Sequence, residues 1–513
     1  MRPLERTRTM ASLVQLAGLL AFSSSCEHGA EPPKPDAGNS ARSPSIETFC
    51  TSCHRFPPPE TLPRSHWKAK IEAMYAMVGQ TKDSPPANAP PIDDAVRYFV
   101  DRAPERLPPS PSTVGAGPGS LRLKPIPLKL SGVQPYPGVA NVRFAHLWDD
   151  KRFDLILCEM RFGMVLALQP YLDLGKIRLL GKVPHPCHAE VVDLDGDGLR
   201  DLLVADLGTV TPSDETNGSV VWLRGKPTGE FDVVQLAKGL GRVADVQAAD
   251  FDGDGDLDLI CAVFGWRRVG ETLYFQNRTV DYSAPIFEPF TIDPRAGTIH
   301  VPVADFNHDG RPDFMAVIAQ HHETVVENLN QGGGRFSQHV VFQADHPNWG
   351  SSGIELVDFD GDKDLDVLCA NGDTLDDSVV KPYHGVEWLE NTGVFPFTYH
   401  RLTSLPGAHG ARAVDLDGDG DLDIVACVFV PFVRKDMPGA ELADSIIWLE
   451  QTAPGVFERH SLEASRTTHP TLDAADYDGD GDVDIAVGNM TMAKKGAGDE
   501  IADWVILLEN QAR

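Results

Sequence analysis

From residue 121 to the end of the chain, apolar residues come in short runs separated by turn-forming clusters, with no long stretch of helical period. Short apolar runs bounded by Gly, Asp and Asn read as β-strands. They also recur in a fixed order. An acidic nonapeptide is followed by one strand (LLVADLG, LICAVFG, FMAVIAQ, VLCANGD, IVACVFV, IAVGNM), then by a second (VVWLRG, LYFQN, VVENLN, VEWLEN, IIWLEQ, WVILLEN). Several units add a third, such as FTYHRL or FERHSL. The nonapeptides begin at Asp193, Asp250, Asp305, Asp358, Asp415 and Asp476, 53 to 61 residues apart. An earlier, degenerate unit, HLWDDKRFDLILCEM, aligns Asp154 with the closing Asp of the others. Seven units in residues 121–513 give about 56 residues each, the size of a four-stranded propeller blade. The last unit ends at WVILLENQAR without a third strand, and the first is preceded by LRLKPIPLKL. That leading segment is expected to complete the last blade and close the ring, which removes exposed sheet edges.

The first 120 residues follow other rules. Residues 46–107 hold three helix-like pieces, IETFCTSCHRF, HWKAKIEAMYAMVG and PIDDAVRYFVDRAP, separated by Pro-rich loops. Residues 108–120 (PPSPSTVGAGPGS) are a low-complexity linker and mark a domain boundary. Residues 1–26 run from a basic start through an apolar stretch of about a dozen residues to SSSC, the layout of a secretory signal too short to span a bilayer. Cys26 follows small residues as at a bacterial lipoprotein cleavage site, although Ser23 stands where Leu is usual. Lipidation of Cys26 and a tethered, exported protein, periplasmic or on the outer surface, are expected; an ordinary signal cleaved nearby is the alternative. Residues 27–45 are polar and Pro-rich, a flexible linker. No later segment reaches 18 apolar residues, so membrane contact is expected only through the anchor.

The nonapeptides carry the first candidate chemistry. Positions 1, 3, 5 and 9 are Asp193, Asp195, Asp197 and Asp201 in the first copy and Asp250, Asp252, Asp254 and Asp258 in the second. The third has Asp305, Asn307, Asp309 and Asp313, the fourth Asp358, Asp360, Asp362 and Asp366. The last two have Asp415, Asp417, Asp419 and Asp423, then Asp476, Asp478, Asp480 and Asp484. An all-oxygen donor set of this kind suits a hard cation, and calcium is its natural occupant. Position 6 is Gly except for Lys363, where a distorted or weaker site is expected. These are not EF-hands, because position 12 is Val204, Cys261, Ala316, Cys369, Ala426 or Val487 and lies in a strand. The expected role is to staple blades.

Charge agrees. Of 513 residues, 45 are Lys or Arg and 75 are Asp or Glu, a net charge of −30. That excludes nucleic acid as a partner and binding to anionic lipid by charge alone. The repeats resemble the FG-GAP/VCBS repeats of integrin-α-like β-propellers. The resemblance implies a seven-bladed propeller with calcium in its blade loops, and by itself no chemistry.

Cys50-Thr-Ser-Cys53-His54 matches C-x-x-C-H, the haem c attachment signature. On one helical turn both thiols and the imidazole share a face. Cys50 and Cys53 would form the thioethers and His54 would ligate iron. A zinc site would want a second Cys/His pair, and a redox dithiol a βαβ context; neither is present. About 60 residues make a marginal core, which a covalent haem would complete. The segment resembles a short cytochrome c domain, giving a mainly β chain with a small all-α N-terminal domain. Met74 is the expected second axial ligand, with Met77 and then His66 as alternatives.

Each acidic loop joins the first and second strands of a blade, so the start of the first strand lies on the opposite face. There fall His188, Asp245 and His300, with His321, Glu323, Asp373, His409 and His469 nearby in register. These are candidate ligand residues around the central channel, against a plain hydrated channel mouth. The function expected is haem c electron transfer to a redox partner protein, with the propeller binding a protein or glycan. The alternative is an oxidoreductase whose propeller oxidises a small substrate. Neither a nucleotide fingerprint nor a catalytic triad is visible, and whether the chain is an enzyme stays open.

Overall fold

The computed structural model describes residues 44–79, 89–110, 117–129, 136–431, 444–492 and 503–511. The signal segment, Cys26 and the linker up to residue 43 lie outside the described residues. The described strands form seven antiparallel sheets arranged as propeller blades. Blades 1 to 6 span residues 139–182, 186–240, 243–293, 298–343, 351–404 and 408–464. Blade 7 takes its inner strands from residues 471–510 and its outermost strand from Leu123–Leu128, which pairs antiparallel with Val505–Asn510. The ring therefore closes through its first strand, as the sequence predicts.

Second strands such as Asp201–Asp206, Asp258–Val263, Asp313–Ile318 and Asp423–Val428 are buried along their whole length. Each is covered on both faces by neighbouring blades, which is why it reads as a continuous apolar run rather than an alternating one. Outer strands such as Thr398–Ser404 are half solvated. The core lies between blades; Leu203 and Trp222 of blade 2 pack with Val246 and Cys261 of blade 3, for example. Burying one such side chain contributes roughly 1.5–3 kcal/mol. Cys158, Cys261 and Cys427 sit in these layers as buried free thiols.

The helical segment consists of α1 (Pro44–Cys50), α2 (Arg64–Gly79) and α3 (Ile92–Arg102). Trp67 and Ile71 of α2 pack on Ala95 and Phe99 of α3, with the Trp67 and Phe99 rings stacked at 4.4 Å. Asp93 and Asp94 in the first turn of α3 and Arg102 in its last complement the helix dipole. Val379 of blade 5 joins this helical core. Polar contacts complete the docking: Arg55 donates to the Ala344 carbonyl (3.1 Å), Asn348 to the Thr61 hydroxyl (3.0 Å) and Tyr383 to the Thr61 carbonyl (3.4 Å). All three propeller partners lie on the face opposite the acidic loops. Among the described residues no helix is long and apolar enough to cross a membrane.

Candidate functional site

The acidic loops are tight turns wound around the position 1 carboxylate. In the first, Asp193 accepts the Asp197 and Gly198 amides at 3.1 and 2.9 Å. Carboxylates at positions 1, 3 and 5 come within 4.8 Å of one another in the loops starting at 193, 250, 358 and 415; in the last loop the group is Asp476, Asp478 and Asp484. The third loop, with Asn307, forms no such carboxylate group, and its Asp309 pairs with Arg311.

Position 9 makes backbone contacts that its spacing does not announce. In the first loop, Asp201 accepts the Leu194 amide at 3.0 Å with one oxygen and the Gly225 amide at 2.6 Å with the other. The same clamp recurs at Asp313 (Phe306, Asn330), Asp366 (Phe359, Asn391), Asp423 (Leu416, Gln451) and Asp484 (Tyr477, Asn510). Degenerate blade 1 keeps its loop end of it, Asp154 accepting the Leu147 and Trp148 amides, without the acidic triplet. Position 9 is thus a backbone staple between loop and third strand, and in the last loop Asp484 also belongs to the carboxylate group. Burial pushes the carboxyls of Asp258, Asp366 and Asp423 up to about 6 and that of Asp484 up to about 8, with neighbouring loop carboxylates adding to it.

Lys363 does not distort its loop. It adopts φ 82°, close to the glycines at the same position, and its amide reaches Asp358 at 3.1 Å as theirs reach position 1. A non-glycine residue in that left-handed region costs about 1 kcal/mol. Lys363→Gly is expected to stabilise the propeller by about that much, read as a higher denaturation midpoint.

From the opposite face a cavity of about 820 Å³ runs down the central channel, walled on one side by Lys70 of α2. His188 Nε2 lies 3.3 Å from Asp245 Oδ1, and His300 Nδ1 3.9 Å from Asp245 Oδ2. Asp245 also accepts the Val301 amide at 2.9 Å and Gln247 at 3.1 Å. Burial alone would raise its carboxyl, but His188, His300 and these donors outweigh it and hold it below the usual range. Burial lowers His300 and takes His409 down to about 4. Glu323 and Asp373 also line the cavity, raised by burial to about 7 and about 6. His469 does not join them; it is fully buried against Glu463 at 2.6 Å. His321 faces the helical segment instead.

A second ring lies one pleat deeper: Arg143 paired with Glu190, and Arg412 with Asp473 at 3.1 Å beside Glu355. Glu190 stands two residues after His188 on the same strand, so period-2 reasoning reaches it.

The C-x-x-C-H turn closes α1. Cys50 is half-buried against the helical core, where burial pushes its thiol up to about 11; Cys53 is exposed. A thiol so raised is a poor redox nucleophile or zinc ligand at neutral pH. His54 Nδ1 lies 2.7 Å from the Arg55 carbonyl, which makes Nδ1 the donor and leaves the Nε2 lone pair free. The His321 ring faces His54, with centroids 5.6 Å apart and planes 24° from parallel. His321 Nε2 is buried without a partner. Two free thiols, an oriented imidazole and an orphaned buried nitrogen fit a covalent haem. Met74 packs on the helical core and Met77 lies half-buried further along α2.

The FG-GAP-like repeat family matches residues 193–261, 305–369 and 370–426. The chain is a seven-bladed β-propeller carrying FG-GAP-like repeats. Among solved structures it is similar to virginiamycin B lyase from Staphylococcus aureus (TM-score 0.44, 13% identity, 76% of this chain and 99% of that one). It is also similar to the V. cholerae biofilm matrix protein Bap1 (TM-score 0.39, 11% identity, 76% of this chain and 91% of that one). No curated protein matches the chain.

Proposed function

We propose that this chain is an exported haem c electron-transfer protein whose calcium-stapled propeller binds a partner protein or glycan. The observation that carries the reading is the C-x-x-C-H turn: two unpaired thiols and a His54 ring whose Nδ1 is tied to the Arg55 carbonyl. Cys50 and Cys53 hold the porphyrin and His54 orients the iron, while the propeller fixes that edge of the helical segment through Arg55 and Thr61. When bound, haem c supplies a one-electron couple near the protein surface. The redox partner is a protein, and Cys26 tethers the chain to a membrane. The carboxylates at loop positions 1, 3 and 5, and at positions 1, 3 and 9 in the last loop, are the calcium ligands.

A specific feature favours a second reading as an oxidoreductase. The cavity of about 820 Å³ is walled by Lys70, and Gln320 and Glu323, which line it, flank His321 in sequence. A small substrate held there would sit close to the haem. Maturation in a host that attaches haem c is expected to give a coloured protein whose denatured mass includes the porphyrin. A Cys50→Ser, Cys53→Ser double variant should be colourless. Reduction of that haem by added sugars or alcohols, with no second enzyme present, would move the assignment to the oxidoreductase.

A further inference from the structure

The turn that carries His321 is held by strained backbone and by outside hydrogen bonds. It links strands Asp313–Ile318 and Thr324–Asn330 of blade 4, and two of its non-glycine residues, Gln320 (φ 59°) and Glu323 (φ 45°), are left-handed. Such conformations cost of order 1–3 kcal/mol each and cluster at functional sites. The turn is pinned from outside: Gln343 donates to the His322 carbonyl at 2.6 Å, and Ser351 donates its amide to the Glu323 carboxylate at 2.9 Å.

Ala344 registers this turn against the C-x-x-C-H turn. Its amide donates to the Glu323 carbonyl at 3.0 Å, and its carbonyl accepts the Arg55 guanidinium at 3.1 Å. One residue of the propeller thus fixes both the turn before it and the residue after His54. Between the two turns lie the His54 and His321 rings, 5.6 Å apart and nearly parallel. Two imidazole nitrogens on opposite sides of one ion at about 2 Å each stand about 4 Å apart, which puts the ring centroids about 6 Å apart; the 5.6 Å seen here would open by under about 1 Å to admit an ion between them. A buried ring nitrogen with no partner, such as His321 Nε2, is costly unless something accepts its lone pair.

We propose that His321, carried by the propeller, is the second axial ligand of the haem iron, in place of Met74 or Met77. The inference rests on the haem reading above. Its consequence is a bis-imidazole haem closed by both parts of the chain, at a lower potential than a methionine ligand would give.

The test uses the full chain matured with haem c. The wild type should show the low-spin paramagnetic resonance of bis-imidazole ferric haem and lack the near-infrared band of thioether ligation. His321→Met should gain that band and a higher midpoint potential, and His321→Ala should become high-spin. Met74→Leu, Met77→Leu and His66→Ala should leave the spectrum unchanged. A wild-type thioether band lost in Met74→Leu or Met77→Leu would overturn the assignment and leave the haem reading intact. So would a bis-imidazole signal abolished by His66→Ala. A colourless wild type would remove the haem reading itself. If His321→Ala does not fold, the wild-type spectrum together with His321→Met decides.

Discussion

Treating the protein with a chelator at pH 7.5 is expected to lower the unfolding midpoint of the propeller by on the order of 10 °C, and added calcium should restore it. An ion held at 100 times its dissociation constant stabilises the fold by about 2.7 kcal/mol. Five loops gather three carboxylates within 4.8 Å. Several sites acting on one cooperative ring therefore sum to of order 10 kcal/mol, and a chain of this size shifts by about one degree per kcal/mol. In the metal-free protein the pH dependence has a definite sign. Burial, helped by the neighbouring carboxylates, raises Asp258, Asp366 and Asp423 to about 6 and Asp484 to about 8, above the ordinary value near 4. Between those limits the folded chain holds protons that the unfolded chain has released. Their contribution to stability is therefore complete in acid and fades as pH rises through about 6 for three of them and about 8 for Asp484. The chelated protein should melt higher at pH 4.5 than at pH 7.5, and the calcium-induced shift should be small at pH 4.5, where ligand carboxylates compete with protons. Calorimetry at the two pH values, with and without calcium, measures both. Equal midpoints in chelator and calcium at pH 7.5 would leave the loops as plain turns.

Repetition makes the propeller readable in the sequence. A unit with the same acidic turn and the same two apolar strands, copied with small changes, fixes blade size, blade number and ring closure together. The unmatched segment LRLKPIPLKL could go only to the blade that lacked a strand. Position 9 was harder. In sequence Asp201 and its equivalents look like one more oxygen donor, because spacing records which residues are close but not which donors reach them first. The backbone amides of Leu194 and Gly225 each reach one oxygen of Asp201, and only the folded chain shows that pairing. Asp154 held the clue: it persists in a unit that has lost the triplet. The channel mouth was legible in part, since topology placed His188, Asp245 and His300 on one face. His321 fell on the same face in register, but register along a blade does not say which neighbour a loop meets. The helical segment docks beside blades 4 and 5, and no pattern in either part announces that contact.

Asp245→Ala is expected to destabilise the propeller by about 3 kcal/mol at neutral pH, the scale for removing one partner of a buried charged group. Its carboxylate is 2% exposed and joins three blades: His188 of blade 2, its own strand in blade 3, and the Val301 amide with His300 of blade 4. Alanine would leave that amide without an acceptor, which alone costs about 1–3 kcal/mol. Asp245→Asn keeps an acceptor for Val301 and should cost less. The two variants together separate hydrogen bonding from charge. The pH profile separates them again. The folded carboxyl lies below its ordinary range, because His188, His300 and the Val301 amide outweigh burial. The stability it contributes is therefore full above about pH 4 and is lost as pH falls through the folded value. The gap between wild type and Asp245→Asn should narrow in acid, while the part of the Asp245→Ala deficit that comes from lost packing should persist. Denaturant unfolding at pH 7 and pH 3 reads both gaps. A gap that does not change with pH would mean that Asp245 acts in the channel as a hydrogen-bond acceptor alone, and that its charge is not available to a ligand entering the cavity beside His188 and His300.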